Sequence, residues 1–263
     1  MSETCLLVDI GNSRLKWNLA AFNSDAFKQQ TRTADHHERS VAEVLDHQWG
    51  SINAPYPAVS IVNVAGPSVA QQVTDWCVSH WDVNPRFMIT AERFGNVVNG
   101  YQDHTQLGAD RWMAVIAANH LHPGQHNVII DCGSAITVDT VMADGQHRGG
   151  PIIPGPGLMW RALAGSTADL GQYRPTNELS AEAFVNNSQA AMTSGINLAA
   201  SKAVDGIIHQ ICDKLSQSGD DTDINILVTG GAAGQIMPLT EITDYTPEPD
   251  LVLHGLRIVT ADQ

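Results

Sequence analysis

Two runs of alternating apolar and polar residues open the chain. Residues 4–8 alternate weakly and end in the sequence DIGNS at positions 9–13, and a second run covers residues 14–20. The apolar side chains of this second run share one face: Leu15, Trp17 and Leu19. Two period-two runs around a Gly/Asn turn predict a β-hairpin.

Helical and strand patterns alternate after the hairpin. Residues 56–66 are rich in apolar side chains and lead into Gly-Pro, which predicts a strand, and residues 68–81 have the spacing of an amphipathic helix. Helical spacing also covers residues 34–49 and 108–120. These segments predict a β-α unit behind the hairpin.

The opening pattern returns in the middle of the chain. Residues 127–141, NVIIDCGSAITVDTV, read as an apolar strand, a turn and a return strand. Setting this stretch over the first places Asp131 over Asp9 and Gly133 over Gly11. An internal repeat of this kind suggests a duplicated domain.

Further elements follow in the second half of the chain. A helix is predicted near residues 158–164, then a loop with short helical pieces over 165–187, and a long helix with a buried face over 195–215. The stretch INILVTGG predicts a strand and a double-glycine turn. The last apolar stretch, LVLHGLRIVTA, fits either a strand or a short helix.

Hairpins followed by β-α units, twice over, predict an α/β fold of two similar domains that face a cleft. We expect an N-terminal domain over residues 1–120 with the first hairpin, and a C-terminal domain over residues 121–263 with the second. Each domain is long enough to bury its own core.

Composition and charge narrow the function classes. The 263 residues are 43% hydrophobic and 16% charged, as in an ordinary globular protein. The formal net charge of −14 argues against general nucleic-acid binding, which needs clustered Lys and Arg. Any bound polyanion therefore needs backbone N–H groups, a few chosen cations or a metal.

Targeting and metal signals are weak. The start of the chain has no basic region, and no stretch approaches the roughly 18 to 20 apolar residues that span a bilayer. Four scattered cysteines without a C-x-x-C pair indicate a reduced, cytoplasmic protein. We interpret His36 and His37 as surface residues, with metal ligation as the alternative. We expect neither membrane nor nucleic-acid partners.

Each hairpin turn offers the groups that a phosphate site needs. Glycine lets the backbone approach a phosphate closely, and consecutive N–H groups form an anion nest. The aspartates could hold a hydrated Mg²⁺ or a monovalent cation, and Lys16, on the same side of its strand as Arg14, could neutralise a phosphate. The alternative for each turn is a plain hairpin. Both turns combine a carboxylate, a glycine and a hydroxyl: Asp9, Gly11 and Ser13, and Asp131, Gly133 and Ser134.

A further candidate site lies at a predicted helix start. In LGADRW, Asp110 is either an N-cap, which the spacing alone favours, or a base that takes a proton from a substrate hydroxyl. Arg111 could clamp a carboxylate or phosphate. Tyr101 is either an exposed loop residue or a ligand contact, and residues 228–232 are either a tight turn or a surface for adenine and ribose. Neither a P-loop nor a Rossmann motif occurs.

Together these stretches resemble the type III pantothenate kinases of bacterial coenzyme A synthesis, a family of the acetate and sugar kinase, heat-shock ATPase and actin superfamily. The combination of LGADRW with DCGSAITVD is specific, whereas any one piece is weak. The resemblance implies two ribonuclease H-like, actin-like ATPase domains with a nucleotide cleft between them. The matching pieces follow the family's order along nearly the whole chain: DIGNSRLKW, NGY, LGADRWMAVIAA, DCGSAITVD, GGPIIPGPGLM, SGI and VTGGAAG.

The resemblance also implies roles for individual residues. Asp110 would accept the proton, Asp131 would bind K⁺ or NH₄⁺, and Asp9 would hold Mg²⁺ through water. ATP contacts are implied for Asp9, Ile10, Gly11, Asn12, Ser13, Arg14, Leu15, Lys16 and Ser134. Pantothenate contacts are implied for Tyr101, Gly108, Ala109, Asp110, Arg111 and Ser188.

The chain departs from the family pattern in two ways. Ser13, Ser134 and Ser188 stand where the family commonly has threonine, which keeps the hydroxyl and loses a methyl group. QDHTQ follows Tyr101 where the family often has Asn-Pro, so the conformation of that loop is open.

The resemblance predicts an activity and an assembly. The expected reaction is ATP-dependent phosphorylation of pantothenate to 4'-phosphopantothenate. Family members are dimers in which the partner subunit partly closes the substrate pocket, so we expect a homodimer. The alternatives are a non-catalytic accessory factor of transcription from the same family and a sugar or carboxylate kinase of the same superfamily.

Overall fold

The computed structural model describes residues 4–21, 27, 29–36, 40–50, 52, 58–167, 169–176, 178–217 and 222–262. The strands are β1 (Thr4–Ile10), β2 (Arg14–Ala21), β3 (Arg32–Asp35), β4 (Ala58–Asn63), β5 (Arg86–Phe87), β6 (Arg93–Phe94), β7 (Val97–Val98), β8 (His126–Cys132), β9 (Ala135–Val141), β10 (Ile152–Pro154), β11 (Ile224–Thr229) and β12 (Thr246–Pro247). The helices are α1 (Val41–Trp49), α2 (Pro67–Trp81), α3 (Ala109–Leu121), α4 (Pro156–Ser166), α5 (Ser188–Gln217), α6 (Ala233–Ile236) and α7 (Leu251–Ala261). Short 3₁₀ helices cover His104–Gln106, Leu170–Gln172 and Met237–Leu239.

The chain divides into two compact units. The first contains Met1–Leu121, Gly145–His147 and Asp250–Gln263, and the second contains His122–Asp144 and Arg148–Pro249. The first long segment ends at Leu121, one residue after the expected boundary at 120. The C-terminal residues, expected in the second domain, lie in the first unit because α7 packs against α3, β1 and β4.

The first unit is built on a five-stranded sheet in the order β3-β2-β1-β4-β5. β1 and β2 pair antiparallel up to Ile10 and Leu15, which confirms the first predicted hairpin, and β4 adds parallel to β1. The apolar face of the hairpin packs on α1 and α2 through an aromatic cluster: Trp17, Trp49, Trp76 and Trp81.

The second unit repeats this topology with the order β10-β9-β8-β11-β12. β8 and β9 form the second hairpin, and β11 lies parallel to β8 on its other side. The pairing senses match those of the first sheet strand by strand, so the predicted duplication is confirmed. Residues such as Val128, Ile130 and Val138 bury the apolar face of this sheet against α5.

Two predicted helix starts are wrong, and capping explains both. Residues 34–49 were expected as one helix, but α1 begins after Ser40, whose hydroxyl accepts a hydrogen bond from Glu43 N–H while Glu43 bonds back to Ser40 N–H. α5 begins at Ser188, earlier than the predicted residue 195. The Asn187 side chain accepts a hydrogen bond from Ala190 N–H at 2.9 Å and so caps this helix.

Other elements agree with the sequence patterns. The last apolar stretch, which fits a strand or a helix, is the helix α7. Most of the described residues in the predicted loop 165–187 are irregular, with one 3₁₀ turn. Within the described ranges, no helix has the length and apolarity to cross a membrane.

Candidate active site

The β1–β2 turn places Asp9 and Lys16 next to each other. They are directly opposite in the antiparallel register, so their side chains lie on the same face of the sheet. Gly11 N–H donates to Arg14 O at 3.0 Å and closes the turn. Arg14 Nε donates to Asp35 Oδ1 at 2.8 Å, and both side chains are exposed. Such a surface pair contributes at most about 1 kcal/mol, so the guanidinium can exchange partners readily.

The β8–β9 turn is one residue shorter. Gly133 N–H donates to Ala135 O at 3.0 Å, and Gly155 N–H donates to Ser134 O at 3.0 Å. Gly155 precedes α4, so the start of that helix lies against the turn. Asp131 is opposite Thr137, where the first hairpin has a lysine. The two turns therefore share a carboxylate and a glycine but differ in local charge.

The glycine turn after β11 lies against Asp131. Gly230 has a φ of 93°, which favours glycine, and a Cβ there would overlap the Asp131 carboxylate and the Cys132 backbone. Ala232 N–H donates to Cys132 O at 2.8 Å. The candidate adenosine turn and the second hairpin thus form one packed structure within their unit.

The Cys132 side chain adds no charge to this turn. Burial, followed by the neighbouring Asp131 carboxylate, raises the pKa of the Cys132 thiol to about 12. The thiol therefore stays protonated near neutral pH and is packed as an apolar group.

Hydrogen bonds at the start of α3 hold Asp110 in place. Trp112 N–H donates to Gly108 O at 2.9 Å, and Arg111 N–H donates to Asp110 Oδ1 at 2.8 Å. A Cβ on Gly108 would lie 2.6 Å from Asp110 Oδ1, so the carboxylate would have to move to make room for it. The carboxylate is half-buried at the positive end of the helix dipole. Asp110 is the second residue of α3 and therefore not its N-cap. Its bond to Arg111 N–H satisfies a donor of the first turn and holds the carboxylate in place.

Arg111 and Tyr101 form the other part of this cluster. Arg111 is buried, and its Nη1 donates to Tyr101 Oη at 2.7 Å while its Cζ lies 5.7 Å from the centre of the tyrosine ring. Tyr101 N–H donates to Asn99 Oδ1 at 3.0 Å and is thereby held in its loop. A buried guanidinium beside a phenol can bind a carboxylate or an amide oxygen.

His147 is a residue of this cluster that sequence reasoning missed. It is fully buried in the first unit, and its ring lies parallel to the Tyr101 ring with centroids 6.1 Å apart. The backbone N–H of His147 donates to Val98 O at 3.0 Å. No local pattern in GQHRGG links this histidine to a tyrosine 46 residues earlier, so only the folded chain shows the pairing.

Of the two remaining residues predicted to contact pantothenate, one belongs to α3 and the other to α5. Ala109 is the first residue of α3, beside Asp110. Ser188 is exposed at the start of α5, in the second unit. Among the described residues, no group of three or more His, Cys, Asp or Glu side chains is placed to hold a metal ion.

Comparison with known proteins gives one consistent result. A family model described as type III pantothenate kinase matches residues 5–210. The chain belongs to this family. The type III pantothenate kinase of Nitrosococcus oceani is 33% identical, over 98% of this chain and 94% of that protein. The one from Acidovorax ebreus is 34% identical, over 98% and 96%.

Solved structures place this type III pantothenate kinase family member in the actin-like fold. A conserved protein from Campylobacter jejuni, described as a Baf family transcriptional activator, has a TM-score of 0.55 at 18% identity and covers 98% of both chains. An archaeal actin homologue has a TM-score of 0.51 at 13% identity and covers 100% of both. At such identities the likeness shows the fold alone.

Proposed function

We propose that this chain transfers the γ-phosphoryl group of ATP to the primary hydroxyl of pantothenate, giving 4'-phosphopantothenate, the first step of coenzyme A biosynthesis. The observation that carries the proposal is the cluster at the start of α3. There, Asp110 is held beside a buried Arg111 that is bonded to Tyr101. Membership of the family supplies the acceptor that this cluster would bind.

On the acceptor side, each group of the cluster has a separate task. The Arg111 guanidinium and the Tyr101 hydroxyl bind the carboxylate of pantothenate, which orients its other end. Gly108 has no side chain and Ala109 has only a methyl group, which leaves room for pantothenate beside Asp110. The Asp110 carboxylate accepts the hydroxyl proton while the hydroxyl oxygen bonds to the γ-phosphorus and the bond to ADP breaks. Ser188 is proposed as a further pantothenate contact.

On the nucleotide side, the first hairpin binds phosphate. The residues from Asp9 to Lys16 supply backbone N–H groups and two cationic side chains, and Lys16 is on the face of Asp9. Ser134 in the second hairpin is a further ATP contact, and residues 228–232 form the adenosine surface. Phosphoryl transfer depends mainly on positioning and charge stabilisation, which fits a site built largely from backbone.

The proposed cation sites are based on the oxygen ligands that the two hairpins offer. Hard cations prefer carboxylate, carbonyl and water oxygens, and Asp9 and Asp131 provide carboxylates at the ends of β1 and β8. Asp9 would hold Mg²⁺ through water, and Asp131 would bind K⁺ or NH₄⁺. When bound, these ions neutralise charge on the phosphates.

We also propose a cytoplasmic homodimer without nucleic-acid partners. We place a second copy of the chain in the apolar groove between α4 and α5, which has a volume of about 390 Å³. Leu158 and Leu163 on α4 line this groove and are more than one-third exposed. A dimer agrees with the resemblance described above, and covering these leucines would remove apolar surface from water.

The activity is tested by measuring ADP release with pantothenate, with several sugars and without an acceptor, each with and without K⁺. Release that needs both pantothenate and K⁺ is expected. Release with sugars instead would indicate a sugar kinase. The absence of release under all conditions, together with pantothenate or ATP binding, would indicate the non-catalytic accessory factor.

Gly108→Ala is expected to lower kcat about 10- to 100-fold in a protein that still folds. The added Cβ meets Asp110 Oδ1, the free end of a side chain, so the carboxylate moves and the backbone stays. Steady-state kinetics and thermal unfolding measure the two effects separately. A normal kcat in the folded variant would mean that the position of the Asp110 carboxylate is unimportant.

A further inference from the structure

His36 holds the turn of the first hairpin through two hydrogen bonds. Its ring Nε2 lies 2.8 Å from Gly11 O, and its backbone N–H donates to Ser13 O at 3.1 Å. A carbonyl oxygen only accepts, so Nε2 carries the proton. His36 directly follows β3, which pairs with β2 as far as Arg14 and Asp35. The His36 side chain thus lies against the turn, beside the edge strand β3.

These bonds determine where the N–H groups of the turn point. A trans peptide group is planar, with its C=O and N–H on opposite sides, and the described peptide bonds are all trans. Holding Gly11 O and Ser13 O toward His36 therefore directs Asn12 N–H and Arg14 N–H to the other side. Those two N–H groups belong to the segment proposed above to bind the phosphates of ATP.

We propose that His36 is a positioning residue for ATP: its Nε2–H bond to Gly11 O orients Asn12 N–H toward the phosphates. This proposal rests on the proposed function of the first hairpin. The sequence predicted a surface residue or a metal ligand here; the structure instead shows a half-buried ring bonded to the turn. His37 lies outside the described residues.

Two amide substitutions at His36 test whether the position of the hydrogen-bond donor matters, because both keep a polar N–H donor and differ in its reach. A glutamine side chain extends as far as the histidine Nε2 and can replace its N–H donor, whereas asparagine reaches only as far as Nδ1. We expect His36→Asn to raise KM for ATP about 3- to 10-fold, the worth of one hydrogen bond. We expect His36→Gln to restore it. The values of kcat and KM for pantothenate should stay near wild type in both, because the acceptor side is unchanged.

Two further variants serve as controls. His47→Asn makes the same exchange at an exposed position on α1, and its KM for ATP should be unchanged. Gly11→Ala tests the hairpin itself. An added Cβ would lie 3.4 Å from Arg14 O, an ordinary contact, so the turn accommodates it while the methyl group obstructs the phosphate.

The outcomes distinguish the two proposals. If Gly11→Ala raises KM for ATP and both His36 variants behave as wild type, the His36 proposal is overturned and the hairpin site stands. Equal increases in His36→Asn and His36→Gln also overturn it, since the donor position then has no role. If Gly11→Ala has no effect, the hairpin assignment fails. Should His36→Asn not fold, ATP titration of His36→Ala and His36→Gln decides: a raised Kd in His36→Ala with a wild-type Kd in His36→Gln supports the proposal, and equal Kd values in the two variants contradict it.

Discussion

We expect Asp110→Asn to lower kcat by about 10²- to 10⁴-fold, the usual contribution of a general base, while ATP still binds, because Asp110 is the proposed base. The asparagine side chain keeps an oxygen that can accept from Arg111 N–H, as Asp110 Oδ1 does at 2.8 Å. The start of α3 therefore keeps its local bond. What the amide loses is the ability to take the hydroxyl proton. Steady-state kinetics and a separate ATP titration measure the two properties.

Asp103→Asn is the matched control for this variant. Asp103 caps a helix start, since its Oδ1 accepts from Thr105 N–H at 3.0 Å. The Thr105 hydroxyl donates to the same oxygen at 2.6 Å, and this bond, followed by the one from the N–H, lowers the pKa of the Asp103 carboxyl. It is exposed and lies two residues after Tyr101. We expect normal kcat and a small loss of stability. If Asp110→Asn behaves in the same way, Asp110 only stabilises the start of α3.

Gly255→Ala destabilises the protein by about 1 to 3 kcal/mol, although alanine is the better helix former. In an exposed helix interior the same change would stabilise by up to about 1 kcal/mol. Here α7 crosses α3 with Gly255 against the Met113 backbone, and an added Cβ would overlap the Met113 carbonyl oxygen. Backbone atoms cannot rotate away, so the two helices must separate. The steric cost exceeds the gain in propensity.

Gly206→Ala is expected to have the opposite effect on the stability of the protein. Gly206 lies within α5 and is exposed, and an added Cβ would meet nothing within 4 Å. The thermal midpoint of the Gly206→Ala variant should rise slightly, while that of Gly255→Ala falls. Because Met113 is close to Asp110 on α3, Gly255→Ala should also reduce kcat. A stabilised Gly255→Ala protein would contradict the close packing of α7 on α3.

Local signals explain why much of the fold was predictable. A hairpin is specified by alternation on both sides of a glycine turn, all within about 20 residues, and both hairpins were found this way. The helix α3 was also predicted, from the apolar spacing of residues 108–120, although in the fold it is buried on all sides from Arg111 to Asn119. The start of α1 was missed although Ser40 and Glu43 have the spacing of a capping box, a signal that the sequence does contain. The Asn187 cap at the start of α5 has no such partner three residues later, and it was missed as well.

The short motifs of the candidate site could be predicted from the sequence, but the contacts between their side chains could not. LGADRW and the two hairpin turns each stand out as short motifs. The bond from Arg111 to Tyr101 joins residues ten positions apart, and the bond from His36 to Gly11 spans 25 positions. Side chains at such separations meet only through the strand register and helix packing, which no single motif contains.

By itself, the sequence determined the two hairpins, the duplication, the family and the residues that could carry the chemistry. The reason is that periodicity, turn residues and short motifs are local properties of the chain. Only the tertiary structure decided that α7 returns to the first unit, that His147 lies parallel to Tyr101, and that His36 bonds to the turn of the first hairpin. Those contacts depend on close packing between distant segments, and packing is a property of the whole fold.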